Sequence, residues 1–216
     1  MLRLLLLTIV SFTTALIAQK ATVNVPSSLS ASAPKMESGV VEDNTYRNPS
    51  VGVELTVANG LTFQEPELMG TSGTVPELVT ITALQKETLF TPRYVTVFYA
   101  DALGAYPESQ RSTESYMRKI SRGNQETGYK VVQENLQITF GGTVFARTDF
   151  QGPLYEAVLA KSCGRQALVF IFGSTSGKKE DVEKLIDETR VKPNPATSGC
   201  YSTTASGGAQ PGPKKR

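Results

Sequence analysis

The chain contains no histidine and no tryptophan among its 216 residues. Histidine is the side chain that most often transfers protons near neutral pH, and it is the most common zinc ligand. Its absence excludes Ser-His triads and every catalytic or metal site built on imidazole. We therefore predict a protein that is not an enzyme and holds no metal or cofactor. A hydrolase that works without histidine is kept only as a remote alternative.

The chain also has little net charge. Its 22 Lys and Arg residues nearly balance 20 Asp and Glu residues, which leaves a formal charge of +2. Proteins that bind nucleic acid usually carry a strong positive excess. No nucleic-acid partner is therefore predicted.

Cysteine occurs only twice, as Cys163 and Cys200. In an exported chain, two cysteines are candidates for one disulfide bond. We predict an intramolecular Cys163–Cys200 bond that holds the C-terminal tail against the last helix. Two unpaired thiols, or pairing with another chain, are the alternatives.

The N-terminus reads MLRLLLLTIVSFTTALIAQK, with Arg3 before an apolar core and Ala18 at a suitable cleavage position. This pattern predicts a secretory signal peptide over residues 1–18. The alternative is a retained membrane anchor, but Ser11, Thr13 and Thr14 interrupt an apolar run that is short for a span. We expect a periplasmic or secreted protein that contacts the membrane only during export.

Both flanks of the remaining chain are low in apolar residues. Residues 19–43 are rich in Ser, Ala and Pro, and residues 193–216 are rich in Pro, Gly and Ser. Such segments bury too little apolar surface to offset the entropy of ordering. They are interpreted as a linker and a disordered tail, which leaves one folded domain over residues 44–192.

Strand patterns dominate this domain. Alternating or β-branched segments are found at 44–48, 52–60, 77–86 and 93–101, and four more follow Gly128 with hairpin-length separators. Closely linked strands must be antiparallel neighbours, so the last four form a meander. A helix is predicted over 108–122, capped by Ser109 or Ser112 and stopped at Gly123. A second helix is predicted over 180–190, stopped by Pro193.

The last strand of the meander, ALVFIF, is apolar on both faces. Leu168, Phe170 and Phe172 point to one face of the sheet. Ala167, Val169 and Ile171 point to the other face. Both faces need cover, and the two helices are available to provide it. The pattern favours an α+β fold, a three-layer α-β-α sandwich around a mainly antiparallel sheet.

The loop GSTSGKK at residues 173–179 resembles a phosphate-binding loop but lacks its spacing and its magnesium-binding hydroxyl. It is interpreted as a strand-to-helix connection with Thr175 or Ser176 as the helix cap. Ser176 and Lys179 also fit a Ser-x-x-Lys pattern, which taken alone has little specificity.

Asp149 and Glu156 flank the Gly152-Pro153 turn and are the candidates for a pair of catalytic carboxylates. Arg147 lies on the same face as Asp149. A surface ion pair between Arg147 and Asp149 is the simpler interpretation.

Two further segments are informative, namely Tyr46-Arg-Asn-Pro-Ser-Val-Gly52 and the strand Gly142-Thr-Val-Phe145-Ala-Arg147. Both resemble segments of the PsbP-like superfamily, which includes photosystem II extrinsic proteins and a Ran-release factor. The order of elements over residues 44–192 is also similar. At residues 58–61 the chain departs from the family, with Ala-Asn-Gly-Leu where Pro-x-Gly-Trp is common. The resemblance implies an α-β-α sandwich and a binding or accessory role in a bacterial exported protein, without catalytic residues to carry over.

The predicted function is therefore that of an exported, non-enzymatic binding or accessory domain that acts through a protein partner in the cell envelope. The alternative is a periplasmic binder of a small apolar ligand in a cleft between sheet and helix. Tyr94, Phe98 and Tyr116 are the candidate cleft residues, and they also suit a hydrophobic core.

Overall fold

The computed structural model describes residues 36–69, 78–86, 92–164, 166–193 and 200–201. The predicted signal peptide, most of the predicted linker and most of the predicted tail lie outside these residues.

Twelve strands, two α-helices and two 3-10 turns are found in the described part of the chain. The strands are β1 (Val40–Glu42), β2 (Thr45–Asn48), β3 (Val53–Thr56), β4 (Thr62–Phe63), β5 (Glu67–Met69), β6 (Leu78–Lys86), β7 (Pro92–Ala102), β8 (Lys130–Phe140), β9 (Thr143–Gln151), β10 (Tyr155–Cys163), β11 (Gln166–Ser174) and β12 (Arg190–Pro193). The helices are α1 (Thr113–Glu126) and α2 (Lys179–Glu188), and the 3-10 turns are Leu103–Ala105 and Glu108–Gln110.

Most strands belong to one large antiparallel sheet. Its order is β4-β6-β7-β11-β10-β9-β8, and β5 also pairs with β6. The predicted meander is confirmed, because β8 to β11 follow one another as neighbours. The α+β class with a mainly antiparallel sheet is thereby confirmed.

The two faces of β11 are both buried, as predicted. Leu168, Phe170 and Phe172 belong to one apolar cluster, and Val169 and Ile171 belong to another. In the first cluster the ring centroids of Phe98 and Phe170 lie 4.8 Å apart. A central strand with apolar side chains on both faces therefore separates two cores.

Different elements contribute to the two cores. Tyr116 and Met117 of α1 lie in the cluster with Val169, whereas the buried residues of α2 lie in the cluster with Phe170. A second sheet of order β1-β2-β3-β12 adds Tyr46, among others, to the Phe170 cluster. This small sheet was not predicted as a separate layer, and the three-layer α-β-α sandwich stays a prediction.

The first helix differs from its predicted bounds at both ends. Residues 108–110 form a 3-10 turn, and α1 begins after Ser112, whose side chain accepts a hydrogen bond from the Ser115 amide at 3.1 Å. Gly123 is not a stop but a buried residue inside the helix, seven positions after Tyr116 on the face that packs on the sheet. The helix ends three residues later, and Gly128 adopts a positive φ of 92° beyond it.

The second helix is shorter than predicted and is followed by a strand. The residue before it is Lys178, not Thr175 or Ser176, and the Lys178 side chain makes no capping hydrogen bond. Helix α2 ends at Glu188, and β12 then pairs with β3, placing Pro193 opposite Val53. Proline is tolerated there because β12 lies at the edge of the small sheet.

The folded region begins before residue 44. Strand β1 lies inside the stretch interpreted as linker and pairs with β2, so that Val41 lies opposite Tyr46. Met36 is also buried. The Tyr46 hydroxyl donates to the Ser38 carbonyl at 2.9 Å, which ties this segment to the core.

Candidate functional site

The two cysteines form the predicted bond. Cys163 at the end of β10 is joined to Cys200, and their Cα atoms are 5.0 Å apart. Cys200 and Tyr201 are buried, and the ring of Tyr201 lies 6.2 Å from that of Phe145, centroid to centroid. The bond therefore fastens a piece of the predicted tail into the core.

The three candidate cleft residues lie in different places. Phe98 is fully buried in the cluster of Phe170. Tyr94 lines a cavity of about 260 Å³ beside α2, and Tyr116 lines a cavity of about 340 Å³ beside α1. Because Phe98 and Tyr116 belong to clusters on opposite faces of the sheet, the three residues do not share one cavity.

Asp149 and Glu156 do not face each other. In the β9–β10 register Glu156 lies opposite Phe150, and Asp149 lies opposite Ala157. Neighbouring registers point to opposite faces, so the two carboxylates lie on different sides of the sheet. This placement removes the geometry that a catalytic pair requires.

The Arg147–Asp149 pair exists but is buried, not at the surface as interpreted. The Arg147 and Asp149 residues are 4% and 0% exposed. Arg147 donates to both oxygens of Asp149 at 2.7 and 2.9 Å and to both oxygens of Glu183 at 3.0 and 2.8 Å. The Tyr155 hydroxyl adds a bond to Asp149 at 2.9 Å. This network joins α2 to the sheet.

The loop at residues 173–179 holds a cluster of hydroxyls. The Ser176 hydroxyl donates to Asp181 at 2.5 Å and accepts from the Lys178 amide at 3.1 Å. The Lys179 ammonium donates instead to Gln133 at 3.1 Å. The structure thus gives Ser176 a role in shaping the start of α2, and Lys179 is not its partner.

Glu156 is a buried carboxyl on the α1 side of the sheet. It accepts a hydrogen bond from the Tyr129 hydroxyl at 3.0 Å. The Tyr129 ring reaches this position because it lies against Gly152, where a Cβ atom would come within 2.6 Å of the ring. Burial raises the pKa of Glu156 from its ordinary value of 4.5 to about 7.

This pKa leads to a prediction about pH and stability. A carboxyl with a raised pKa in the folded state contributes stability that is fully present below about pH 4.5 and is lost as pH rises through about 7. For Glu156 the loss is up to about 3 kcal/mol. Replacing Glu156 with Gln is therefore expected to flatten the fall in the free energy of unfolding, measured by urea denaturation across this range.

Glu134→Gln is the matched control, because Glu134 is an exposed carboxylate on β8. It should leave the pH profile of the wild type unchanged. Part of the fall in the free energy of unfolding with rising pH should persist in Glu156→Gln, since burial also raises the pKa of Asp101. A Glu156→Gln profile identical to that of the wild type would contradict the prediction.

The cavity beside α1 is the candidate binding site, and we call it the α1 cleft. It is lined by Tyr106, Gln110, Ser115, Tyr116, Arg118, Lys119 and Arg122. Three of these side chains are cationic and none is acidic. Arg118, Lys119 and Arg122 come from one side of α1 because they are spaced one, three and four residues apart.

The cationic groups of the α1 cleft differ in their surroundings. The Arg118 guanidinium pairs with Glu114 at 3.2 Å, and both side chains are largely exposed. The Lys119 ammonium lies 4.5 Å from the centre of the Tyr106 ring and donates to the Tyr106 hydroxyl at 2.9 Å. Desolvation lowers the pKa of Lys119. Arg122 is exposed to solvent and makes no ion pair with any other residue in the described part of the chain.

The floor of the α1 cleft rests on Asp101. This residue is fully buried, and its Oδ2 atom accepts hydrogen bonds from Tyr116 at 2.7 Å and Tyr106 at 3.3 Å. Its Oδ1 atom has no hydrogen-bond partner among the described residues. Burial is the main cause that raises the pKa of Asp101 and of the surrounding tyrosines Tyr99, Tyr106 and Tyr116.

Sequence reasoning identified only Tyr116 of this site. The RKISR segment at residues 118–122 carried a usable signal, since its three basic residues share one side of a helix. Asp101 carried none. It ends an apolar strand pattern, where an acidic residue usually marks the start of a solvated turn.

In the described part of the chain, neither helix combines the length and the hydropathy that crossing a bilayer requires. The same residues contain no group of three acidic or cysteine side chains placed to hold a metal ion.

Comparisons with known proteins give limited results. No protein-family model matches the chain, and no curated protein matches it. A solution structure of cyanobacterial PsbP (CyanoP) from Synechocystis sp. PCC 6803 is similar at a TM-score of 0.42 and 12% identity, over 74% of this chain and 99% of that one. A crystal structure from Bacteroides thetaiotaomicron VPI-5482 is similar at a TM-score of 0.35 and 8% identity, over 69% of this chain and 48% of that one. Likenesses at this level carry no argument about function.

Proposed function

We propose that this chain is an exported, non-enzymatic binding domain with a PsbP-like α-β-α sandwich, and that it binds an acidic segment of a protein partner in the cell envelope. The α1 cleft is the proposed binding site. The observation that carries the proposal is the single sign of charge in this cavity, with three cations and no acidic side chain among its lining residues.

The size of the α1 cleft suits a short segment of chain. Its volume of about 340 Å³ is at the lower end of ligand pockets, which are of order 300–1,000 Å³. Such a volume admits a few side chains but not a folded domain. Carboxylates entering it would form charge-assisted hydrogen bonds with Arg118, Lys119 and Arg122, and the tyrosine rings would shield these bonds from water.

Export fits this proposal. The Cys163–Cys200 bond is of the kind that persists in oxidising compartments. The predicted signal peptide lies outside the described residues. An exported location would place the domain beside proteins of the cell envelope, and a partner there is part of the proposal.

The alternatives have less support. The cavity that Tyr94 lines is bordered mainly by polar and charged side chains, which favours a polar ligand over an apolar one there. A hydrolase of the Ser-Lys type at Ser176 lacks its lysine base, since the neighbours of the Ser176 hydroxyl are Ser174 and Asp181 and not Lys179.

The test is binding of a fluorescent hexaglutamate peptide, measured by anisotropy. The double variant Lys119→Glu/Arg122→Glu is expected to bind at least about tenfold more weakly than the wild type, because each charged hydrogen bond contributes roughly 1.5–3 kcal/mol. Wild-type affinity should also fall as salt rises.

The control is Lys184→Glu/Lys192→Glu, which changes the net charge by the same amount on exposed residues outside the α1 cleft. It should keep most of the affinity. The proposal is overturned if the wild type does not bind the peptide, or if the control loses as much affinity as the cleft variant. Tighter binding to phosphatidylglycerol vesicles than to hexaglutamate would overturn the choice of a protein partner.

A further inference from the structure

A buried acid lies directly behind the α1 cleft. Asp101 has no exposed surface, yet its Oδ2 atom is bonded to Tyr106 and Tyr116, two residues that line the cavity. Its Oδ1 atom has no hydrogen-bond partner among the described residues. An ionised carboxylate with an unsatisfied oxygen is costly in such a place, whereas a protonated one is not.

The hydroxyl of Tyr106 connects this acid to the cavity. It donates to Asp101 and accepts from the Lys119 ammonium. While Asp101 is ionised, the only proton of this hydroxyl points away from the cleft. When Asp101 is protonated, its own O–H can donate to Tyr106, and the Tyr106 proton is free to turn toward a ligand.

Like the hydrogen bonds, the charge of Asp101 favours anion binding to the form in which this residue is protonated. An ionised Asp101 repels an anion held in the cleft, and the low polarity of the interior strengthens that repulsion. A neutral Asp101 does not repel the anion. An anionic ligand therefore binds better to the protonated form of the site.

We propose that the α1 cleft takes up its anionic ligand together with one proton, which Asp101 accepts from solvent through exchange with the bulk. The inference rests on the proposed function. It adds that binding is regulated by pH, so that the domain releases an acidic segment as its surroundings become more alkaline. The raised pKa of Asp101, caused mainly by burial, is consistent with this coupling.

Groups from several elements surround the Asp101 carboxyl. Tyr99 faces it from β7, Tyr106 from the segment after the first 3-10 turn, and Tyr116 and Lys119 from α1. Its register neighbours on β6 and β11 are Leu78 and Ala167, which are apolar. Lys119 is the second group whose titration would weaken anion binding as pH rises, so an experiment must separate it from Asp101.

The experiment measures proton uptake when hexaglutamate binds. Calorimetry in two buffers with different ionisation enthalpies is carried out at several values between about pH 6 and about pH 8, where the peptide stays ionised. Wild-type protein is expected to take up protons as the peptide binds, up to about one per site, and its affinity should fall as pH rises, by up to about tenfold per pH unit. In Asp101→Asn the uptake should fall close to zero, while Lys119 remains.

Two further variants make the result specific. Glu156→Gln removes another buried carboxyl on this side of the sheet and should leave the uptake unchanged. Tyr106→Phe keeps Asp101 but removes the connecting hydroxyl, so it is expected to reduce the uptake by at least about half. It gives an answer even if Asp101→Asn does not fold.

The outcomes separate this inference from the proposed function. If the wild type binds hexaglutamate with the same proton uptake as both Asp101→Asn and Tyr106→Phe, the inference is wrong and the proposed function stands. If uptake disappears in Glu156→Gln instead, the coupled group is Glu156 and the inference is equally wrong. If the wild type does not bind the peptide at any pH, both fail.

Discussion

Replacing Arg147 with Met is expected to lower the free energy of unfolding by about 3–5 kcal/mol. Arg147 is the only cation that contacts Asp149 in the described part of the chain, and Asp149 is 0% exposed. Methionine fills a similar volume but leaves this carboxylate buried with a single hydrogen bond from Tyr155. Urea denaturation followed by circular dichroism measures the loss.

The matched control for Arg147→Met is Arg47→Met. Arg47 also contacts two carboxylates, Glu42 at 3.3 Å and Glu54 at 3.2 Å, but its side chain is 43% exposed. Water compensates the carboxylates there, so the expected loss is only about 0–1 kcal/mol. Equal losses in the two variants would show that burial does not decide the strength of the Arg147 network. Replacing Arg147 and Asp149 together with apolar residues should recover much of the loss.

The second large effect concerns the disulfide bond. The variant Cys163→Ala/Cys200→Ala is expected to lose about 3–4 kcal/mol of stability, because the bond closes a loop with a sequence separation of 37 residues. The loss acts mainly through the unfolded chain, which regains the entropy that the bond removes. Thermal and urea unfolding under oxidising conditions measure it.

Reductant provides the control for this effect. Wild-type protein in dithiothreitol should unfold at the same urea concentration as the double variant in oxidising buffer. The double variant itself should not respond to dithiothreitol. Detection of two free thiols in the oxidised, folded wild type would contradict the structure.

The order of strands was predictable because it depends on short-range signals. Alternation and hairpin-length separators specify that β8 to β11 pair in sequence order, and the faces of ALVFIF specify two cores. The cap of α1 was predicted only in part. Ser112 was one of two candidate caps and accepts a hydrogen bond from the Ser115 amide, but the helix was predicted to begin near residue 108 and begins at Thr113.

Three local predictions were wrong because tertiary packing overrode the local signal. Gly123 reads as a stop, but inside α1 it lies on the face toward the sheet and is buried. Pro193 reads as a helix breaker, but it ends an edge strand that pairs with Val53. Arg147 and Asp149 read as a surface pair, but α2 covers them and adds Glu183.

The α1 cleft shows the same limit for function. The sequence shows three cations on one side of a helix, and Tyr116 among its apolar residues. It does not show that Asp101, fifteen residues earlier and on a strand, accepts the Tyr116 hydroxyl at 2.7 Å. That contact exists only because α1 packs across the face of the sheet on which β7 presents Asp101.

By itself, the sequence determined the antiparallel meander, its two apolar faces and the two helices found in the described residues, and it favoured the pairing of Cys163 with Cys200 over the alternatives. Each of these depends on periodicity, on turn residues or on a count of two. The tertiary structure alone decided which charges are buried and which polar groups meet at the α1 cleft. A residue is buried by the elements that pack against its face of the sheet, and this packing is long-range, so no local pattern encodes it.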